Sequence, residues 1–360
     1  MDKKKKVAIV GTNGIPAKYG GFETLTENIT NHLNDKFDFI VYCSNKQKTG
    51  LKEYNNSKLI NLPFNANGWQ SLIYDTISLF HAAIKSDVIL YLGPGAGFIL
   101  PLIKLFRKKI IVNHGGLNEW EREKLSVIQK KYTFWSHNIS AKLADSNIAD
   151  NEPLVLSLKE AFNVNAEKIE YGGDHVSIIP IEDKYINVFP FLSHNYDLSV
   201  SRAQPDNNLH LLLEAYENIP NRNLVLISNW KVSEYGQKLK AKYTNKYSNI
   251  FIVDAVYNQE YLNVIRSNTS LYIHSHSQCG TAPSLVEAMN YNIPIICFDV
   301  ATNRATTFES TLYFKDSESL NRIISELSDE KLNEIKTELY QIAKNNYTWD
   351  IICSKYSKLF

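Results

Sequence analysis

The stretch Gly280-Thr281-Ala282-Pro283-Ser284-Leu285-Val286-Glu287-Ala288-Met289, entered from the apolar run Leu271-Tyr272-Ile273, decides how the chain is read. It predicts a strand, a tight loop and a helix, with Glu287 within the first turn or so. Unpaired N–H groups at a helix start, together with the positive end of the helix dipole, make an anion site. Pro283 suits that first turn, where its missing N–H costs nothing. Gly280 and Thr281 offer backbone and hydroxyl donors, and Glu287 stands where a carboxylate reaches a ribose hydroxyl pair. The segment reads as a cradle for a nucleoside diphosphate and points toward a nucleotide-sugar enzyme.

Outward from it, short apolar runs alternate with helical patterns along the whole chain. Val7–Val10, Phe39–Tyr42, Val88–Leu92 and Ile110–Asn113 have strand length, with longer patterns such as Thr24–Leu33 and Leu72–Ile84 between them. The series restarts with Leu224–Ser228, Ile250–Val253, Leu271–Ile273 and Ile295–Phe298. Between Asn207 and Ile219, Leu209, Leu212, Leu213, Tyr216 and Ile219 form a helical stripe. Such alternation predicts βαβ units and parallel sheets. Ile179–Tyr196, with Pro180 and Pro190 and no sustained period, reads as the interdomain crossing. The expected class is α/β: two Rossmann-like, doubly wound domains whose strand ends meet at a shared cleft. The first spans 1–180 and the second 197–344, with a terminal helix at 345–360 packing back on the first.

Length and composition fit this. A chain of 360 residues suits two domains of about 150 residues. Its 44% hydrophobic and 21% charged residues are those of a globular protein, and a net charge of +1 argues against a nucleic-acid partner. Cys43, Cys279, Cys297 and Cys353 form no CxxC pair, which suggests a reduced, cytoplasmic chain. The longest apolar stretch, Ala96–Phe106, is broken by Lys104 and is too short to span a bilayer. No signal peptide is expected.

At the N-terminus, Val7–Val10 runs into Gly11-Thr12-Asn13-Gly14-Ile15-Pro16, and then Tyr19-Gly20-Gly21-Phe22-Glu23-Thr24 opens a helix. The Gly20-Gly21 pair lets a backbone approach a phosphate, whereas the missing GxGxxG argues against a dinucleotide. This opening is similar to that of bacterial rhamnosyltransferase-like glycosyltransferases, GT-B enzymes of glycosyltransferase family 4 with a DUF1972-type N-terminal domain. Val112-Asn113-His114-Gly115-Gly116-Leu117 with Glu119-Trp120, then Tyr171-Gly172-Gly173-Asp174-His175, resemble further motifs of that family. So do Arg202–Asn208, Ser233–Gly236, Gly280–Met289 and Asn303-Arg304.

The resemblance implies a retaining transferase that leaves a nucleoside diphosphate. Such a reaction needs donors aimed at the departing phosphate more than a strong nucleophile. Arg202, at a strand end, suits phosphate bidentately. Lys231 and Arg304 are candidate second cations, and Glu287 the ribose ligand. Tyr257 is a positional candidate for the base. His114 is a candidate contact to the donor sugar or its leaving oxygen. Glu23, Glu119, Asp174 and His175 are acceptor-side candidates, one Glu serving as base. Asn207 and Asn208 stand where related transferases often carry Lys. Cys279, Ala282 and Ala305 replace residues that the family pattern leads one to expect as Glu, Asn and Glu. No DxD triplet is present, and neither a metal nor another cofactor is expected.

The expected function is hexose transfer, with dTDP-rhamnose favoured, onto a lipid-linked saccharide in surface-polysaccharide assembly. A UDP- or GDP-sugar donor is the runner-up. A catalytically idle sugar-nucleotide-binding subunit is the alternative from another class, and an NAD-dependent oxidoreductase is disfavoured. Lys3–Lys6, Lys104, Arg107–Lys109, Arg122, Lys124, Lys130 and Lys131 adjoin apolar side chains in places. They suggest peripheral contact with the inner leaflet.

Overall fold

The protein is described from a computed structural model covering residues 3–18, 20–47, 49–122 and 125–360. Tyr19 and Lys124 lie outside the described residues. The chain divides into two compact units: Met1–Tyr171 with Trp349–Phe360, and Gly172–Thr348.

The first unit is an eight-stranded sheet of β1 (Lys5–Val10), β2 (Phe37–Cys43), β3 (Glu53–Tyr54), β4 (Ser57–Asn61), β5 (Val88–Leu92), β6 (Lys109–Asn113), β7 (Ser146–Ala149) and β8 (Glu167–Lys168). Their order is β3-β4-β2-β1-β5-β6-β7-β8, and only the β3–β4 pair is antiparallel. Val7, Ala8, Ile9 and Val10 of β1 and Val88, Ile89, Leu90 and Tyr91 of β5 are all buried, so consecutive side chains on both faces are covered. Helices Gly21–Leu33 and Ser71–Lys85 supply part of that cover. The terminal helix Trp349–Leu359 also belongs to this unit. Its Tyr356 hydroxyl accepts from Asn113 Nδ2 at 2.9 Å, and Phe360 sets its ring edge-on to Phe37 at 5.3 Å.

The second unit is wholly parallel: β9 (Asp197–Val200), β10 (Leu224–Ser228), β11 (Ile250–Asp254), β12 (Leu271–His274), β13 (Ile295–Phe298) and β14 (Leu312–Phe314). The order β11-β10-β9-β12-β13-β14 reverses direction between β9 and β12. This is the doubly wound arrangement of a Rossmann fold. Leu212, Leu213, Tyr216, Leu226, Ile273 and Phe314 meet in its core.

Three details differ from expectation. The segment Ile179–Tyr196, expected as the crossing, lies inside the second unit. Its aromatic residues anchor it there, with Phe191 packed on Phe251 at 6.0 Å and Tyr185 on Tyr261 at 6.2 Å. The helix expected from Asn207 runs Leu209–Tyr216, after a 3₁₀ turn at Pro205–Asn207. Asn207 is instead drawn back by its side chain, which donates to Arg202 O at 2.7 Å. The division also falls at 171/172 rather than 180.

Candidate functional site

In an open parallel sheet, ligands settle beyond the carboxyl ends of the strands where the order reverses. In the second unit those are the ends of β9 and β12. Beyond β9 stands Arg202, exposed and making no ion pair among the described residues. Beyond β12 run Ser275–Ala282 and the helix Pro283–Asn290. The two loops are knitted together. Asn208 Nδ2 donates to Ser275 O at 3.0 Å, Ser275 Oγ to Asn207 O at 2.5 Å, and Ser277 N to Asp206 O at 2.9 Å. Asn207 and Asn208, read from sequence as replacing a cation, thus hold Arg202 beside the second loop.

Helix Pro283–Asn290 begins as its sequence predicts, with Pro283 at its first position. Ala282 is the N-cap and gives no side-chain cap; Pro283 has no N–H and Leu285 N donates to Ala282 O at 3.0 Å, so in the first turn the Ser284 N–H is the one left for an anion. Gly280 and Thr281 are buried beside it. Glu287 is in the second turn, not the first, because helix start at Pro283 leaves the first turn without an acidic residue.

The carboxylate of Glu287 is paired on two sides. Arg266 Nη1, from helix Gln259–Ser267, donates to Oε2, and His175 Nε2 lies 3.4 Å from Oε1. Burial alone would push this carboxyl up. The Arg266 guanidinium and His175 outweigh it and hold the group down at about 2. An ionised carboxylate has lone pairs to spare and accepts from hydroxyls. His175 reaches it because Gly173 lies against the helix backbone. A Cβ on Gly173 would sit 2.4 Å from Val286 O. His175, expected with the acceptor, stands beside Glu287, and both it and its neighbour Asp174 are exposed.

Lys231 follows β10 and Tyr257 follows β11, both exposed at the carboxyl edge but further from the reversal. Arg304 is occupied by Asp299 at 2.6 Å and by the Tyr313 ring at 4.2 Å.

Sequence reasoning missed two features here. Arg266 is buried and paired across 21 positions, with no local signal to find it. The second is His274-Ser275-His276-Ser277-Gln278-Cys279, whose two histidines and thiol converge. Burial lowers the basicity of both imidazoles, and Arg202 adds to this at His276, held down at about 3.

In the first unit, the β1 loop ends at Gly20, the N-cap of helix Gly21–Leu33 with φ of 130°. A Cβ at Gly20 would lie 1.9 Å from Glu23 Oε2, so only glycine fits. Glu23 is buried, and its Oε1 accepts from Thr12 Oγ1 at 3.3 Å, Asn13 N at 2.7 Å and Asn13 Nδ2 at 2.9 Å. It braces the glycine loop. His114, just past β6, is buried with Nε2 at 2.8 Å from Asn147 Oδ1 and Nδ1 at 3.4 Å from His137 Nδ1. Asn147 Nδ2 donates to Ala141 O, so Oδ1 accepts and His114 carries its proton on Nε2. Burial lowers His114 to about 4, against the Asn147 bond. Glu119 pairs with Arg122 at 2.8 Å and is partly exposed.

Residues 4–174 match the model of a domain of unknown function, DUF1972, and residues 186–346 match that of glycosyl transferases group 1. No curated protein sequence matches the chain. Among solved structures, sucrose-phosphate synthase from Thermosynechococcus elongatus is similar over 99% of this chain and 98% of its own, with a TM-score of 0.81 at 14% identity. Anabaena HepE, solved in complex with UDP-glucose, covers 98% of each chain with a TM-score of 0.75 at 14% identity. A glycosyltransferase from Rickettsia africae ESF-5 covers 100% of this chain and 98% of its own, with a TM-score of 0.74 at 14% identity. At such identities the likeness speaks for the fold. With the group 1 domain laid over the very unit whose sheet reverses at the cradle, the chain is a glycosyltransferase of the GT-B fold.

Proposed function

We propose that this transferase moves a hexose, L-rhamnose from dTDP-rhamnose, onto a lipid-linked saccharide with retention of the anomeric configuration. The observation that carries the donor reading is the meeting, at one sheet reversal, of Arg202, the side-chain-uncapped helix start at Pro283 and the ionised Glu287. Charge grows on the departing diphosphate as the glycosidic bond breaks. Arg202 and the Ser284 N–H at the helix start face that charge, as preorganised donors that stabilise it directly. Gly280 and Thr281 shape the approach, Glu287 accepts the ribose hydroxyls, and Lys231 and Tyr257 flank the nucleotide. Gly20, Gly21, His114, Glu23, Glu119 and Asp174 are offered for the remaining contacts. Of the two glutamates, Glu119 is the base we favour, because Glu23 Oε1 already takes three hydrogen bonds.

UDP-glucose, bound by Anabaena HepE, makes a UDP-sugar the runner-up donor. A thermal-shift panel of dTDP, UDP, GDP and NAD on wild type and Glu287→Gln tests the reading. A ligand at 100 times its Kd stabilises by about 2.7 kcal/mol. dTDP is expected to raise the melting temperature, and the substitution to shrink that rise. A response to UDP alone moves the donor class, and a response to NAD alone, or to none of the four, sinks the reading.

The acceptor proposal draws on the first unit's surface. Leu102, Leu105, Val127, Ile128 and Trp135 are exposed, and Lys104, Arg107, Lys108, Lys130 and Lys131 are their neighbours in sequence. No helix among the described residues is long and apolar enough to cross a membrane. Apolar side chains amid cations favour an anionic leaflet, each nearby cation adding about 1 kcal/mol. At low salt the protein is expected to float with anionic vesicles and to stay behind with neutral ones. Equal recovery from both would count against the surface role.

A further inference from the structure

The strand end that leads into the cradle carries a second chemistry. His274 closes β12, and His276 follows two residues later, a spacing that keeps both side chains on one side of an extended chain. Their ring centroids are 4.4 Å apart. One donor atom from each of His274, His276 and Cys279 lies within 4.8 Å of the other two. His274 is only 1% exposed. The Nε2 atoms of His274 and His276 are both buried, with no hydrogen-bond partner among the described residues. An unpaired buried polar group costs about 1–3 kcal/mol, and here two occur side by side. The backbone beside them is tied at three points: Asn303 Nδ2 donates to His276 O at 2.9 Å, Asn208 Nδ2 to Ser275 O at 3.0 Å, and Ser277 N to Asp206 O at 2.9 Å. The loop is thus held by its backbone, with two imidazoles and a thiol turned toward each other.

We propose that His274, His276 and Cys279 bind a thiophilic transition metal ion of the Zn²⁺ type. Two imidazoles and a thiolate are borderline-soft donors, suited to Zn²⁺ and unsuited to Mg²⁺ or Ca²⁺, which take oxygen. With Zn–N of about 2.0–2.1 Å and Zn–S of about 2.3 Å, tetrahedral donors stand about 3.4–3.6 Å apart. Separations of up to 4.8 Å therefore close with about an ångström of side-chain rotation. On binding, the thiol proton leaves to solvent, and Sγ gives up its 3.9 Å contact with Asn303 Oδ1. Cys297, in register with His274 on β13, places a further soft atom on the adjacent strand. The ion ties the end of β12 to the residue before Gly280. It adds a net charge of +1, the thiolate counted, near Arg202. The site stands independently of the donor assignment.

The test uses the reduced full-length chain, stripped by chelation and titrated with Co²⁺, then Zn²⁺. About one Co²⁺ per chain is expected, with a thiolate-to-cobalt charge-transfer band and the visible bands of a tetrahedral ion, both erased by Zn²⁺ and untouched by Mg²⁺. Losing an outer partner alone weakens metal sites about 10–100-fold, so Cys279→Ser should abolish the charge-transfer band and weaken Zn²⁺ binding about 100-fold or more. His276→Gln should weaken binding while keeping the band, with circular dichroism confirming that both variants fold. Absence of tight Co²⁺ binding, or an unchanged cobalt spectrum in Cys279→Ser, overturns the site. Neither readout involves a nucleotide, so this failure is separate from failure of the thermal-shift panel.

Discussion

Two demands meet on the carboxylate of Glu287. It must neutralise Arg266, whose side chain is 9% exposed, and it must keep lone pairs for a ligand. The first demand makes it structural. Cutting one partner out of a buried pair costs about 3–5 kcal/mol because the other charge stays behind. Glu287→Ala therefore tests folding as much as binding, which is why Glu287→Gln is the better probe. The pair also predicts an acid limb. The folded carboxyl titrates at about 2 against an ordinary 4.5, so its stabilisation is present above about pH 4.5 and is lost as pH falls toward 2. At 1.36 kcal/mol per unit, that is about 3 kcal/mol. Urea midpoints of wild type should fall between pH 5 and pH 2.5, and those of Glu287→Gln should fall less; parallel slopes would refute the assignment. Glu287 was legible in the sequence because its neighbours are local: Gly280, Thr281 and Pro283 announce a helix start. Arg266 was not, because a long-range ion pair leaves no periodic trace.

At the scale of elements, the helix Pro283–Asn290 takes its position from a chain segment far away in sequence. Gly173 N donates to Tyr347 O at 2.8 Å, and its missing Cβ lets Val286 O come close. Gly173→Ala puts a methyl 2.4 Å from a backbone oxygen, so helix and segment must part. A lowered melting temperature and a weaker nucleotide response are expected together; an unchanged nucleotide response in a destabilised variant would separate packing from the site. Strands were the most legible elements. Val88–Leu92, Leu224–Ser228 and Ile295–Phe298 appear as expected, because runs buried on both faces are continuously apolar. The start of helix Leu209–Tyr216 was less so. Asn207 fits the helical stripe's flank, yet its amide prefers the carbonyl of Arg202, a choice decided by a loop that periodicity does not see. The edge strands Glu53–Tyr54 and Glu167–Lys168 are exposed or half-exposed and too short to carry a pattern.

At the scale of the whole molecule, the second unit is one continuous run and the first is not. Residues 172–348 hold a six-stranded sheet and, of the proposed donor contacts, Arg202, Lys231, Tyr257, Gly280, Thr281 and Glu287, whereas Gly20, Gly21 and His114 belong to the first unit. Expressed alone, that fragment is expected to give a cooperative melting transition and to keep a nucleotide-dependent shift. A fragment of residues 1–171 lacks Tyr356 and Phe360, and should melt broadly or aggregate; a sharp transition from it would show the terminal helix to be dispensable. The doubling of the fold was legible because the strand–helix series restarts in the sequence. The placement of Ile179–Tyr196 was not, since two prolines and no period look the same in a crossing as in a docked segment. The terminal helix has one more consequence, which concerns time. Domains fold as units while the chain is being made, N-terminal ones usually first. Here the first unit lacks its last helix until the 177 residues from 172 to 348 have been made, so the half that starts earlier is completed later. Through that interval Phe37 has not yet met Phe360, and Asn113 awaits Tyr356. The nascent chain therefore carries an open seam that a chaperone can read and that only translation past Thr348 closes.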